Sequence, residues 1–350
     1  HEIKDKYADP RRTDIVGGVG EFNIEDLIAE EDVVVTVTHE GYIKRIPLST
    51  YRRQGRGGIG IIGSNAKEGD FIERLFIGST HDYMLILTSM GRLHWLKVYD
   101  VPNLPRTARG RAIVNLLQFN KNETLQAVIA VRHFDERFLT TVTRRGYIKK
   151  TPLEAYSRPR KAGIQATGLH EGDSVIDAAI TTGTDEIVLA TRKGKAIRFK
   201  EGDVRAMGRT AAGVIAIKLP AEDEVVDMAI VDPKASLLTV CEHGYGKRTS
   251  AEEYRLQHRG GQGIINIRAT QRNGDIVSMK AVRDNDELML ITVNGQIMRM
   301  AVSQLRQIGR ATQGVRIISL REGDELVAVA RVVAGEGSQG ELTLESEGEQ

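Results

Sequence analysis

The sequence is poor in several residue types, and each shortage narrows the class of protein. It has one cysteine, Cys241, which excludes an internal disulfide and a cysteine-based metal site and is typical of a reducing cytoplasm. Aromatic residues make up only 5%, so the core must rest on Val, Ile and Leu. No apolar run reaches 18 residues and no charged-then-apolar leader occurs, which predicts neither a membrane span nor a signal peptide. Because the chain begins at His1 and not at Met, we expect it to be part of a longer protein.

Glycine, by contrast, is abundant, with 36 residues of 350, and it marks an internal repeat. A turn glycine recurs six times at intervals of 48 to 55 residues: Gly41, Gly91, Gly146, Gly194, Gly244 and Gly295. A second glycine follows after 17 residues in the third unit and 19 in the others: Gly60, Gly110, Gly163, Gly213, Gly263 and Gly314. Runs rich in β-branched residues flank the first glycines, and the Asn294-Gly295 pair is a strong hairpin signal. Each unit is therefore predicted to be a small antiparallel sheet of about four strands.

Repeats of this length made of strands are typical of propeller blades, because radial repetition protects the sheet edges. We predict an all-β, six-bladed ring of four-stranded antiparallel blades over residues 30–331, between a leading segment, 1–29, and a tail, 332–350. A linear β-solenoid and three two-unit domains are the alternatives. We rank them lower because no linker-like segment divides the units. The sequence leaves open whether the ring is closed or split.

The formal net charge of +2 conceals an uneven distribution of charge. The six segments between the first and second glycines together carry +20, which leaves −18 on the rest of the chain. In five units a base stands four residues after the first glycine: Arg45, Lys150, Arg198, Arg248 and Arg299. In the second unit Trp95 takes this position. Fifteen residues after the first glycine an arginine recurs: Arg56, Arg106, Arg209, Arg259 and Arg310, with Arg158 and Arg160 nearby in the third unit. Further predicted bases are Arg109 and Lys161 in these segments, and Arg111 directly after the second glycine of the second unit.

Equivalent positions in successive blades lie at equal angles around a ring, so these bases predict a curved positive band on its rim. Arginine suits phosphate because its planar fork can bind two oxygens at once. The band lacks the aromatic stacking platforms that proteins usually use for single strands. We therefore predict a rim that binds the backbone of double-stranded DNA without reading its sequence. The alternative is solvated surface charge paired with nearby acids, for example Arg255 beside Glu252 and Glu253.

A glycine-rich stretch in the first unit, residues 54–60 (QGRGGIG), resembles the signature box of the C-terminal domain of DNA gyrase A. The usual form of that box is Gln-Arg-Arg-Gly-Gly-Lys/Arg-Gly, and the stretches EGDFIERL, RGRAIVNLL and RFKEGDVRAMG extend the resemblance over nearly the whole chain. The resemblance implies a six-bladed β-pinwheel, with strands exchanged between neighbouring blades, that wraps DNA around its rim. Within the box it implies DNA contact at Gln54, Arg56, Gly57, Gly58 and Gly60.

The box departs from the family pattern at two positions. Gly55 and Ile59 stand where the family usually has bases, and Arg52 and Arg53, just before the box, are the candidate replacements. Residues 257–263 (QHRGGQG) form a second match in the fifth unit. Which of the two stretches acts as the box stays open, as does the strength of wrapping.

The resemblance also implies the setting in which the domain acts. Residues 1–29 resemble the end of the family's breakage-reunion domain and its linker, and the catalytic tyrosine is expected upstream of His1. The whole enzyme is expected to be an ATP-dependent type II topoisomerase that introduces negative supercoils. It would use ATP and Mg²⁺ and act as an A2B2 assembly of gyrase A and gyrase B in the bacterial cytoplasm, at the nucleoid. This chain alone is expected to be an inactive monomer without catalytic residue, metal or cofactor.

Two other functions are kept as alternatives. A C-terminal domain of the topoisomerase IV type would bind or bend DNA without supercoiling it. A protein-interaction propeller, or a propeller enzyme, would place functional groups at the middle of the ring. The tail, residues 332–350, has five glutamates and no base, which predicts either a disordered solubilising end or a competitor of DNA for the rim.

Overall fold

The computed structural model describes residues 1–7, 24–38, 40–50, 61–62, 72–121, 123–232 and 234–332. The predicted tail, most of the predicted linker and the box at residues 54–60 lie outside the described residues. Helical elements within these ranges are one α-helix, α1 (Glu2–Tyr7), and 3₁₀ turns at Ile24–Leu27, Leu48–Thr50, Val98–Asp100, Ile113–Asn115, Leu153–Tyr156, Glu201–Asp203, Ala251–Glu253 and Val302–Gln304. No described helix is long and apolar enough to span a membrane.

Strands make up the rest of the regular structure, in six groups along the chain. The first three units contain β1 (Asp32–Thr38), β2 (Tyr42–Pro47), β3 (Ile61–Ile62), β4 (Ile72–Ser79), β5 (Tyr83–Thr88), β6 (Arg92–Lys97), β7 (Arg111–Ala112), β8 (Leu125–Val131), β9 (Phe138–Thr143), β10 (Tyr147–Pro152), β11 (Ile164–Gln165) and β12 (Val175–Thr181). The last three contain β13 (Glu186–Thr191), β14 (Lys195–Lys200), β15 (Val214–Ile215), β16 (Val225–Ile230), β17 (Ser236–Cys241), β18 (Tyr245–Ser250), β19 (Ile264–Ile265), β20 (Ile276–Val282), β21 (Glu287–Thr292), β22 (Gln296–Ala301), β23 (Val315–Arg316) and β24 (Leu326–Val332).

These strands form six four-stranded antiparallel blades, which confirms the predicted fold class. Three strands of each blade come from one unit, and the outermost strand comes from the next unit along the chain. From the inner to the outer edge, blades 1 to 6 run β4-β1-β2-β7, β8-β5-β6-β11, β12-β9-β10-β15, β16-β13-β14-β19, β20-β17-β18-β23 and β24-β21-β22-β3. Blade 6 takes its outer strand from the first unit, through the pairs Gln296↔Ile62 and Ile297↔Ile61. The ring is therefore closed by strand exchange, which settles a point that the sequence left open.

The core is divided among the spaces between neighbouring blades. One cluster joins Leu238 of blade 5 to Leu290 and Met298 of blade 6, all fully buried. Another joins Val34 of blade 1 to Met289 of blade 6, across the point where the ring closes. Because both faces of a blade are covered, the middle strands are buried along their whole length and do not alternate between buried and exposed residues. This explains how a core with few aromatic side chains is filled by Val, Ile, Leu and Met.

The recurring acidic turns hold the hairpins of their own blades. The carboxylate of Asp173 accepts hydrogen bonds from the backbone N–H groups of Arg145 (3.1 Å) and Ser174 (2.8 Å). In the sixth unit Asp324 accepts in the same way from Asn294 (3.0 Å) and Glu325 (3.0 Å). These acids therefore accept hydrogen bonds from backbone N–H groups at the turn that leads into an inner strand. Because this turn follows the second glycine of a unit, these acids lie outside the segments between the two glycines.

Candidate nucleic-acid interface

Each unit crosses to its neighbour by a segment that we call the arm. An arm begins after the 3₁₀ turn that follows the hairpin and ends with the exchanged strand on the preceding blade. The arms of units 2 to 6 are residues 101–112, 157–165, 204–215, 254–265 and 305–316, and only residues 61–62 of the first unit's arm are described. Because the exchanged strand is the outermost strand of its sheet, the arms form the outer edge of the ring.

In the arms of units 2 to 6, a glycine with a positive φ angle allows the arm to pack directly on the blade with which its strand pairs. Gly213 has φ of 92°, and a Cβ atom there would lie 2.5 Å from the carbonyl oxygen of Ile148. Gly263 is equivalent, with a Cβ position 2.6 Å from the carbonyl oxygen of Ala196. The second glycine of the repeat is therefore the point of closest approach between arm and blade, where any side chain would displace the arm.

Most of the bases predicted on the arms project into solvent. Arg106 is half-exposed, and five others are exposed: Arg111, Arg158, Arg160, Lys161 and Arg209. Within the described chain none of these six side chains forms an ion pair with an acid. A cationic side chain that is both exposed and without an acidic partner is available to an anionic ligand. The structure thus places these six predicted residues on one surface, the outer edge of the ring.

Three other predicted arm residues have partners within the protein. Arg259 donates from Nε to the carbonyl oxygen of Asp203 at 2.9 Å and from Nη1 to that of Ile215 at 3.0 Å. Arg310 donates in the equivalent way to the carbonyl oxygen of Ile265. Arg109 pairs with Glu40 and lies over the ring of Tyr42 with its Cζ 3.7 Å from the centroid. These arginines fasten one arm to the neighbouring unit and are only partly exposed.

The bases four residues after the first glycine are placed differently from the prediction. Sequence reasoning assigned DNA contact to all five, but their side chains are at most 19% exposed and have partners within the protein. Their acidic partners are Glu31 for Arg45, Glu201 for Lys150, Glu186 for Arg198, Asp284 for Arg248 and Glu287 for Arg299. Arg198 also donates to the carbonyl oxygens of Ala251 and Tyr254, at 2.6 and 3.1 Å. Arg45 donates likewise to the carbonyl oxygen of Val101 at 2.7 Å, so Arg45 and Arg198 join the middle of a blade to the next arm.

A third recurring position was missed. Eleven residues after the first glycine an arginine stands in four units: Arg52, Arg205, Arg255 and Arg306. The last three are exposed, and none of them forms an ion pair within the described chain. Arg255 in particular does not pair with Glu252 or Glu253, contrary to the alternative considered from the sequence. The fixed spacing in the repeat was the signal that would have identified these residues.

The central channel gives no comparable site. It has a volume of about 720 Å³ and is lined mainly by small aliphatic side chains of the inner strands, with Asp177, Asp227 and Lys280 among them. Lys280 Nζ lies 2.9 Å from Asp227 Oδ1, and Ser278 Oγ donates to Asp227 Oδ2 at 2.7 Å. Desolvation in the channel and the neighbouring Asp227 carboxylate raise the pKa of Asp177 to about 7. In the described ranges no group of three or more His, Cys, Asp or Glu side chains is suited to hold a metal ion.

Seven of the predicted DNA-binding residues lie outside the described part of the chain: Arg52, Arg53, Gln54, Arg56, Gly57, Gly58 and Gly60. The structure describes the strand that follows them, β3, on the outer edge of blade 6. The second box-like stretch, residues 257–263, lies on the arm of the fifth unit. Both stretches therefore precede an exchanged strand, in equivalent positions of the repeat.

Comparison with known proteins agrees with this architecture. The sequence model of the family described as "DNA gyrase C-terminal domain, beta-propeller" matches residues 32–79, 82–132, 138–182, 185–232, 235–283 and 286–332, one match for each unit. The DNA gyrase A protein of Salmonella typhimurium (strain LT2) is 47% identical over 333 residues, which is 94% of this chain and 38% of that protein. The chain thus spans less than half of the length of this relative.

Two solved structures share the fold. A DNA gyrase A C-terminal domain superposes with a TM-score of 0.80 at 26% identity, over 87% of this chain and all of that one. The C-terminal domain of a DNA topoisomerase IV superposes with a TM-score of 0.66 at 27% identity, over 87% of this chain and 94% of that one. With six units matched in sequence and six blades in structure, the chain belongs to the DNA gyrase C-terminal domain family.

Proposed function

We propose that this chain binds double-stranded DNA along its arms and wraps it around the outer edge of the ring. The observation that carries this proposal is the recurrence of exposed arginines without acidic partners at equivalent positions of successive arms, such as Arg205, Arg209, Arg255 and Arg306. Because the arms follow one another around a closed ring, a duplex that touches several of them must bend. A surface of exposed arginines on successive arms is suited to contacts with phosphates and not with base edges.

The energy balance favours a bent duplex. Smooth bending of 20–30 base pairs by 40–90° costs about 1–6 kcal/mol. Each neutralised phosphate raises affinity by about tenfold at 100 mM salt through counterion release, equivalent to about 1.4 kcal/mol. About four to five phosphate contacts therefore offset the upper value of the bending cost. Five described arms carry at least that many available bases.

The bases with internal partners have a supporting role in this proposal. Arg45 and Arg198 hold the start of an arm against a blade. Lys150, Arg248 and Arg299 pair with acids within the protein. Arg259 donates to two neighbouring carbonyl oxygens and Arg310 to one, and both side chains stay partly exposed. Direct contact with DNA is assigned to the exposed arm residues and, by the family resemblance, to the box at residues 54–60.

We further propose that the domain works within a complete gyrase. There, wrapping would present a second DNA segment for ATP-driven passage and so give negative supercoils. The cleavage chemistry, ATP and Mg²⁺ would belong to the rest of gyrase A and to gyrase B in an A2B2 assembly in the bacterial cytoplasm. The support is the identity with gyrase A proteins over nearly the whole of this chain. This domain alone would be a monomer that uses no cofactor and does not cut DNA.

A second candidate function is DNA binding without chiral wrapping. This candidate is supported by the solved topoisomerase IV domain, whose sequence identity to this chain is nearly the same as that of the solved gyrase domain. A protein-interaction propeller with a central site has less support, because Asp227 and Lys280 of the channel are engaged with one another.

The first test of DNA binding compares one sequence as a duplex and as a single strand. Fluorescence anisotropy at 100 mM salt, with probes of about 40 base pairs and about 40 nucleotides, should give a tighter Kd for the duplex. The physical reason is the higher phosphate density of the duplex and the lack of stacking platforms on the arms. Equal or tighter binding of the single strand would contradict the proposal.

A further inference from the structure

Three buried lysines, one in each of the alternate blades 1, 3 and 5, lie beneath the arms. They occupy the position three residues after the first glycine: Lys44, Lys149 and Lys247. Their side chains are 1%, 1% and 0% exposed. In the other blades the same position holds His94, Ile197 and Met298. A long cationic side chain is rarely buried without a specific partner, so the contacts of these lysines matter.

Each lysine donates to the backbone of the arm that docks on its blade. Lys149 Nζ contacts the carbonyl oxygens of Gly208 (3.3 Å) and Arg209 (2.5 Å), and that of Ala166 at 2.6 Å. The other two repeat the arrangement. Lys44 donates to the carbonyl oxygens of Arg106 and, at 2.7 Å, Ala108, and Lys247 donates to those of Arg310 and, at 3.1 Å, Gly309.

The shared acceptor is the backbone carbonyl of the arginine fifteen residues after the first glycine of the next unit. Arg106, Arg209 and Arg310 are thus fixed at their backbone by a lysine of the blade beneath, while their side chains lie at the outer edge. Their guanidinium charges also act on the lysines, since each one lowers the pKa of the ammonium below it.

We propose that Lys44, Lys149 and Lys247 are latches that position the arms of units 2, 4 and 6 for DNA by holding their backbone carbonyl oxygens. The inference rests on the proposed function of the arms. The proposal divides the six arms into two groups. Three arms pack on a blade that has a latch lysine, and three pack on a blade that lacks it. The second group includes the arm of the first unit, which contains the box. The lysines are positioning residues, since they hold the backbone of a residue that would contact phosphate.

The ammonium group suits the latch because it has three donors and carries a charge. Lys149 uses all three N–H groups on three carbonyl oxygens. Charge-assisted hydrogen bonds of this kind are about twice as strong as neutral ones.

Burial beneath the arms disfavours the charge of the three lysines. Burial, with the neighbouring arginine, lowers the pKa of Lys44, Lys149 and Lys247 from 10.5 to about 8. Other titratable or charged groups facing these lysines are Arg106 for Lys44, Arg209 and Tyr156 for Lys149, and Arg310, Glu253, Cys241 and Tyr254 for Lys247. Burial raises the pKa of both tyrosines and of the Cys241 thiol to about 12, so these groups stay neutral between about pH 7 and 9.5.

The lowered pKa determines how the stability of the fold depends on pH. Since the folded pKa of about 8 lies below 10.5, the unfolded chain holds more protons between these values, and global stability rises with pH there. A charged lysine at this position therefore lowers stability at pH 7. Replacement by methionine, which blade 6 has naturally at Met298, should leave the melting temperature equal or higher while the arm loosens.

Amide hydrogen exchange of the Lys149→Met variant tests the latch without DNA. At pH 7 the arm 204–215, on blade 3, should exchange faster than in the unchanged chain, whereas the arm 254–265, on blade 4 with Ile197, should not change. The exposed Lys234→Met variant loses the same charge and should leave both arms unchanged. Unchanged exchange at 204–215 in Lys149→Met would refute the latch.

Duplex binding at pH 7 tests the consequence for DNA. The Lys44→Met, Lys149→Met, Lys247→Met triple variant should bind duplex about tenfold more weakly than the unchanged chain at 100 mM salt, the equivalent of one phosphate contact, with an equal or higher melting temperature. Equal duplex affinity of the triple variant and the unchanged chain would overturn the role of the latches in DNA binding. If exchange of the arm increased while Lys149→Met bound duplex as tightly as Lys234→Met did, the latch would stand and the assignment of DNA contact to the arms would fail.

Discussion

Duplex affinity should fall by about 10³–10⁵ between 50 and 200 mM salt, the largest effect that we expect from any change of conditions. Each neutralised phosphate contributes about −0.9 to the slope of log K against log salt, and a duplex that follows the arms would meet about 6–10 phosphates. The bases responsible include Arg111, Arg158, Arg160 and Arg209, all exposed at the outer edge. Anisotropy titrations at four or five salt concentrations measure the slope directly.

The slope separates the arm model from a local binding site. A compact cluster of two or three bases would give a slope of about −2 to −3. A duplex of about 12 base pairs should give a smaller slope than one of about 40, because it reaches fewer arms. A slope near zero, or one independent of duplex length, would contradict binding along the outer edge.

Removal of four arm arginines should weaken duplex binding by about 10³–10⁴ at 100 mM salt. The variant carries Arg205→Gln, Arg209→Gln, Arg255→Gln and Arg306→Gln, which are exposed and make no ion pair in the described chain. Loss of four phosphate contacts should also reduce the magnitude of the salt slope by about 3.6. Because these side chains have no internal partner, the melting temperature should stay nearly unchanged.

The matched control removes the same charge away from the arms. Lys121→Gln, Arg144→Gln, Lys193→Gln and Lys234→Gln alter exposed bases of hairpins and turns, two of them already paired with acids. This variant should bind duplex less than about tenfold more weakly, through the general loss of positive field. Equal losses in the two variants would show that net charge, and not placement on the arms, determines binding.

Spacing in the sequence was sufficient to predict the ring. Gly194 and its equivalents fix the hairpins, and Gly213 and its equivalents in units 2 to 6 fix the close approach of arm to blade, so both glycines recur for steric reasons in these units. The exchange of the outer strand was expected only from the family resemblance. Two-residue strands such as β15 have no pattern of their own, because pairing with the neighbouring blade creates them.

Recurrence did not distinguish bases on the surface from bases in the interior. Arg198 and Arg209 both recur in the repeat, yet one is paired with Glu186 beneath an arm and the other is exposed. Alternation along the strand cannot separate them, since a blade is covered on both faces. The buried Lys149 gave no signal at all, because its partners are backbone carbonyls, which every sequence has.

The central claim, chiral wrapping around the outer edge, is tested most directly by linking number. Nicked circular DNA is ligated in the presence of increasing amounts of this chain, the protein is removed, and the topoisomers are separated on a gel. The account predicts a steady shift to positive linking number with added protein, and a smaller shift per bound molecule for the four-arginine variant. Saturated binding with no change in linking number would contradict wrapping and leave a ring that binds DNA in the manner of the second candidate function.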